Sequence, residues 1–172
     1  VIAEALRARW RQVLVDYVIA YGRDGQGALA EYVDKPALVK LADETRALVR
    51  ESPYLRDTAP ELLGHLGDLL PAPLPHLKHV VYWAKEDFGF KPTITITQVT
   101  IYEPGTGPAP TIFAVSRQLY ATHYFEASVA LTVASAITSP RTPPAFHLLQ
   151  LNRSRIDSLR GGFNALKRFT AG

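Results

Sequence analysis

Apolar residues between positions 2 and 21 recur at steps of three and four: Leu6, Trp10, Val13, Tyr17, Val18 and Tyr21, with Arg7, Arg9, Arg11 and Asp16 between them. That spacing matches the 3.6-residue turn and predicts an amphipathic helix. Three glycines and Asp24 between 22 and 27 end it, because glycine readily takes the backbone angles that terminate helices. A second helix is expected over 36–51, with Asp34 as N-cap, Leu38, Leu41, Leu48 and Val49 on its inner face, and Ser52-Pro53 as its stop. Thr58 followed by Glu61 has the spacing of a capping box, so a shorter helix is expected over 60–69. Pro71, Pro73 and Pro75 then exclude regular structure and make 71–78 a crossover.

Beyond His79 the period falls to two. Val80-Val81-Tyr82-Trp83, a short turn around 88–92, and the strict alternation Thr93-Ile94-Thr95-Ile96-Thr97 read as a hairpin. A helix over 76–88 is the competing assignment, since that stretch also fits a 3.6 period. Proline and glycine make 103–110 a loop, and β-branched and aromatic residues resume over 111–137. Twenty-seven residues exceed a single strand, so a turn is expected near 121–124, followed by a turn over 139–144 and a last strand over 145–152. Ile156, Leu159, Phe163, Leu166 and Phe169 then step by three and four, predicting a C-terminal amphipathic helix. Gly161-Gly162 lies in its middle, where each glycine costs about 1 kcal/mol relative to alanine. These elements describe an α+β fold in one domain, residues 1–172: a helical part to 70, the crossover, and from 79 a four- to five-stranded antiparallel meander closed by that helix.

Composition narrows the function classes. With 172 residues, 47% hydrophobic and 20% charged, the chain can bury a core without staples, and disordered or collagen-like states are excluded. The absence of cysteine rules out thiolate metal sites and thiol nucleophiles. The longest apolar stretch, 129–137, is broken by Ser and Thr and is far short of the roughly 20 residues that cross a bilayer as a helix. The chain opens inside a helical pattern without a start methionine, and no leader is legible in it. No phosphate loop, dinucleotide glycine pattern or G-x-S-x-G elbow occurs, which disfavours nucleotide-binding and serine-hydrolase classes. After position 152 five basic residues face the single Asp157, leaving the rest nearly neutral. Such a basic end can touch a partner or an anionic surface, but without interleaved aromatic and basic residues it does not suggest nucleic acid.

Two places carry candidate chemistry. His123 and Glu126 can act as general base and orienting acid. At the end of the last strand, Arg153 and Arg155 share one face, with Asn152 and Ser154 on the other; the arginines can hold an anionic group or pair with Glu126 and Asp157. Aromatic residues near these groups, among them Tyr120, Tyr124 and Trp83, give the composition of a ligand pocket. His65, His76 and His79 lack the pattern of a zinc site, and neither metal nor cofactor is expected. The leading expectation is therefore non-enzymatic binding of an apolar or amphipathic small molecule between sheet and helices. An enzyme using His123 and Glu126 with Arg153 and Arg155, and a partner-binding module using the basic terminal helix, are the alternatives.

The runs Tyr82-Trp83-Ala84-Lys85-Glu86-Asp87-Phe88-Gly89, Ala121-Thr122-His123-Tyr124-Phe125 and Leu151-Asn152-Arg153-Ser154-Arg155 resemble a set of uncharacterised bacterial proteins, many of them exported. The resemblance, spanning roughly 52–163, implies an exported or periplasmic setting and no activity. In layout, a meander gripped by a C-terminal helix is similar to START-like helix-grip and cystatin-like ligand-binding folds. The chain departs from the START-like order by placing its other helices before the sheet.

Overall fold

The first helix, α1 (Ile2–Asp24), stops where Gly25 turns left-handed at φ +61°, a conformation that costs a residue with a Cβ but not glycine. A 3-10 turn follows (Gly25–Ala28), then the two-residue strands β1 (Glu31–Tyr32) and β2 (Val39–Lys40), which pair antiparallel. The structure, a computed structural model, describes residues 2–33, 38–68, 71–87, 91–105, 107, 109–122, 125–138 and 143–156. Asp34, the candidates His123 and Tyr124, and the C-terminal helix expected beyond Ile156 lie outside those residues.

The helical part differs from its expectation in three places. The second helix, α2 (Leu41–Arg50), begins five residues later than the expected start at 36, because Val39 and Lys40 are drawn into the ladder with Tyr32 and Glu31. In that extended stretch Val39 is buried and Leu38 is exposed, so Leu38 is not an inner-face residue, whereas Leu41, Leu48 and Val49 are. Ser52-Pro53 ends α2 and also starts a further helix, α3 (Pro53–Thr58). Ser52 Oγ accepts from the Leu55 amide at 3.3 Å, and Pro53 occupies the first turn, where a missing N–H costs nothing. Thr58 therefore belongs to the end of α3, its hydroxyl donating to the Tyr54 carbonyl at 2.6 Å. It caps nothing, and Ala59 precedes α4 (Pro60–Gly67).

The second half is a five-stranded antiparallel sheet in the order β3-β4-β5-β6-β7: β3 (Leu77–Asp87), β4 (Pro92–Tyr102), β5 (Thr111–Ala121), β6 (Phe125–Ile137) and β7 (Ala145–Ile156). The alternative helix over 76–88 is replaced by β3, paired with β4 without a register shift from Leu77 with Tyr102 to Asp87 with Pro92. The last strand runs four residues past the expected 152 and places Arg153 and Arg155 inside the ladder with β6.

Period two separates the faces. Ile96, Gln98, Thr100 and Tyr102 of β4, Phe113, Val115 and Arg117 of β5, and Val129, Leu131 and Val133 of β6 point to the inner face. There the apolar ones join Leu41, Leu48, Val49, Leu55, Leu62 and Leu66 of the helices in one core. The helices cover the three middle strands and leave the edges open: Trp83 on β3 is 69% exposed. At the other end of the chain Leu6, Trp10 and Val13 are also exposed, so the apolar stripe of α1 meets the core only from Leu14 and Tyr17 onward.

Candidate functional site

The period that buries Phe113 and Val115 also buries Arg117, which is 3% exposed. Its Nη1 donates to the Leu66 carbonyl at 3.1 Å, and its Nη2 donates to Tyr21 Oη at 3.0 Å and to Gln98 Oε1 at 2.6 Å. Tyr21 in turn donates to Gln98 Oε1 at 2.8 Å, and Gln26 Nε2 donates to the carbonyls of Leu66 and Asp68. No carboxylate among the described residues forms an ion pair with this guanidinium. Its charge instead meets the carbonyl end of α4, where the helix dipole carries its partial negative charge. Burial lowers the pKa of Arg117 from the ordinary guanidinium value, with Tyr21 opposing. With its hydrogen bonds spent on helices and sheet, Arg117 is a tie between α1, α4 and β4 rather than a ligand group.

Beside this tie, His65 of α4 stacks on His79 of β3, ring centroids 5.7 Å apart and 17° from parallel. His65 Nδ1 lies 3.0 Å from the Ala72 carbonyl, which can only accept, so that nitrogen carries the proton. His79 Nδ1 lies 3.1 Å from Thr100 Oγ1. Burial holds both imidazoles below the usual histidine pKa. At His65 the Ala72 carbonyl opposes this, Arg117 adds to it and Asp68 opposes it; at His79, His65 and Arg117 both add to it. An unfolded histidine takes its proton near pH 6.5, whereas the folded pair resists it. Stability is therefore complete above about pH 6.5 and falls as the pH drops below that value, until the folded rings titrate in turn. Urea midpoints between pH 7.5 and 5.5 should show this fall, with the share due to His65 bounded by about 1.4 kcal/mol per pH unit. A His65→Gln/His79→Gln variant that declined as steeply as the parent would refute it.

The second site lies at the junction of β7 and α2. Glu44 of α2 and the exposed Glu51 just past its end, seven residues apart, both meet Arg155: Nη1 of Arg155 donates to Glu44 Oε2, and its Nη2 is 3.5 Å from Glu51 Oε1. Those are its described partners, in place of the expected Glu126 and Asp157; the latter lies outside the described residues. Two residues back, Arg153 borders a recess lined by Leu48, Val49, Leu55, Val129, Leu131 and Leu151, with Ser52 and Val115 at its sides. The recess holds about 20 Å³, room for one water. Arg153 Nη1 is buried and has no hydrogen-bond partner among the described residues. Next to it the inward side chains of Leu149 and Leu151 remain 37% and 39% exposed.

The other candidates do not converge there. Asn152 points to the opposite face, accepting from Ser154 Oγ at 3.4 Å. Tyr120 packs edge-on against Tyr17 of α1 at 5.8 Å. Trp83 stands on β3, four strand spacings from β7, about 19 Å away. Glu126 is buried at the register shift between Phe125 and Ala127. Among the described residues no group of three histidines or carboxylates is placed to hold a metal ion, and no helix is long and apolar enough to cross a membrane.

No protein-family description matches the chain, and neither a curated protein nor a solved structure does. The site therefore rests on its own geometry. Sequence reasoning overlooks two parts of it: Arg117, although its parity with Phe113 and Val115 already assigns it to the buried face, and Glu44, whose partner is 111 residues away.

Proposed function

We propose that this chain is a non-enzymatic binding protein for a slim amphipathic anion, whose head group sits on Arg153 and whose apolar portion lies along Leu149 and Leu151 beneath α2 and α3. The observation that carries this reading is the buried Arg153 Nη1, without a described partner, at the border of an otherwise apolar recess. A buried donor left unbonded costs about 1–3 kcal/mol, and a carboxylate or phosphate oxygen would relieve that cost. Arg155 is already engaged by Glu44 and Glu51, so it fixes β7 against α2 and leaves Arg153 to the ligand. The recess is far smaller than the roughly 300–1,000 Å³ of pockets for drug-sized ligands. That favours a single alkyl chain resting on the open strip of β7 over a ring system enclosed in the core.

Titration calorimetry with decanoate tests the reading. Saturable binding is expected, weakened roughly 10- to 100-fold in Arg153→Met, as loss of a charged hydrogen bond implies. Decanol should bind as weakly to the parent as decanoate does to the variant. Equal affinity for acid and alcohol, or an unaffected variant, would refute a charge-directed site.

A further inference from the structure

The free edge of β3 is long and apolar. Its 11 residues pair with β4 on one side without a bulge, and no described strand lies on the other. The Glu103 amide donates to the His76 carbonyl at 3.2 Å, which makes 76 with 103 a hydrogen-bonded pair in the same register. Such pairs alternate along an antiparallel ladder. The even residues of β3 therefore turn their backbone groups to β4, and the odd ones from Leu77 to Asp87 turn theirs outward. Natural sheets blunt an open edge with proline, a bulge or charge. Here the charged residues stand toward the ends, and the middle is Val80-Val81-Tyr82-Trp83, with Val80 54% and Trp83 69% exposed.

We propose that this edge is a dimer interface, at which β3 pairs antiparallel with β3 of a second copy about a two-fold axis beside Tyr82. An axis normal to the sheet keeps every side chain on its own face, so the permitted registers differ by steps of two residues. With Tyr82 opposite its own counterpart, the strands overlap over their full length and all the outward backbone groups find partners. Lys78 then meets Glu86 of the second copy on the outer face, and symmetry makes that pair twice. Both are non-hydrogen-bonded pairs, the closer kind, with Cα atoms about 4.5 Å apart. On the inner face Val81 meets Trp83 of the second copy. A shift of two residues in either direction separates Lys78 from Glu86 and leaves the end of each strand unpaired. The other edge, β7, lacks this complementarity, since it carries Arg153 and Arg155 and no carboxylate. Pairing β3 with β7 would build an open chain of molecules rather than a closed dimer. A strand of 11 residues is less than the about 20–30 per side of a standard interface, which implies a dissociation constant of about 1–100 µM. Because β7 lies at the far edge of the sheet, Arg153 stays accessible in this dimer.

Sedimentation equilibrium of the full chain, from about 1 to about 500 µM, should follow a monomer–dimer equilibrium. Glu86→Lys sets like charges opposite one another and should weaken the dimer roughly tenfold or more. The exchange Lys78→Glu/Glu86→Lys should return it to within about threefold of the parent. Both positions are exposed, so neither variant disturbs the core. The register has its own readout in single-cysteine variants, because the chain has no native cysteine. Tyr82→Cys should oxidise to a disulfide-linked dimer, its two sulfurs facing each other across the axis. Val80→Cys should not, because its counterpart lies four residues, about 13 Å, along the strand. A monomer at every concentration, growth beyond the dimer, an unaffected Glu86→Lys, an exchange that restores nothing, or equal cross-linking at both positions would each overturn the proposal.

Discussion

Replacing Arg117 with alanine should destabilise the fold by about 3–5 kcal/mol, the range found when one partner of a buried charged network is removed. The loss comes less from missing attraction than from what remains. The Leu66 carbonyl, Gln98 Oε1 and Tyr21 Oη would stay buried at one place with their shared donor gone, each facing part of a desolvation cost of about 1–3 kcal/mol. Arg117→Met/Gln98→Leu, which removes donor and acceptor together and refills the volume, should recover a substantial part of the loss. Urea midpoints at constant slope measure both variants. A single variant within about 1 kcal/mol of the parent would mean that Arg117 does not tie α1 and α4 to the sheet.

A comparable loss, about 3–5 kcal/mol, is expected for Phe113→Ala. Phe113 is 2% exposed, its ring centroid is 6.3 Å from that of Tyr102, and it stands on the middle strand of the sheet, on the face that the described helices cover. Truncating its neighbour Ile112, which is 44% exposed on the opposite face, should cost under about 1 kcal/mol. The contrast between adjacent residues tests the direction of the strand: similar losses at both would indicate a register slipped by one residue.

The sheet is legible in the sequence because alternation is a local signal. Thr93 to Thr97 and Phe113 to Leu119 state their period within a few residues, and the turns between them carry proline, glycine or polar runs. The helical part is less legible, because competing signals share the same residues. Ser52-Pro53 is as good a start as it is a stop, and α3 is too short to show a period. Val39, flanked by exposed Leu38 and Lys40, mimics a helix start while obeying the ladder with β1. The recess illustrates a different limit. Arg153 stands out by its type and position, but Leu48, Ser52 and Leu55, which shape its surroundings, lie about a hundred residues earlier and carry no local mark of that contact.

The nearest-neighbour strand order has a consequence for how the molecule is made. Every sheet pairing joins consecutive strands, so each closes a short loop and can form as soon as its second strand is available. Docking of the helices is different: Tyr21 and Leu66 must wait for Arg117, 96 and 51 residues downstream. During synthesis from the N-terminus, the apolar sides of α2 and α4 are complete before their cover exists. The interval until β5 emerges is therefore when the nascent chain is most exposed to aggregation or chaperone capture.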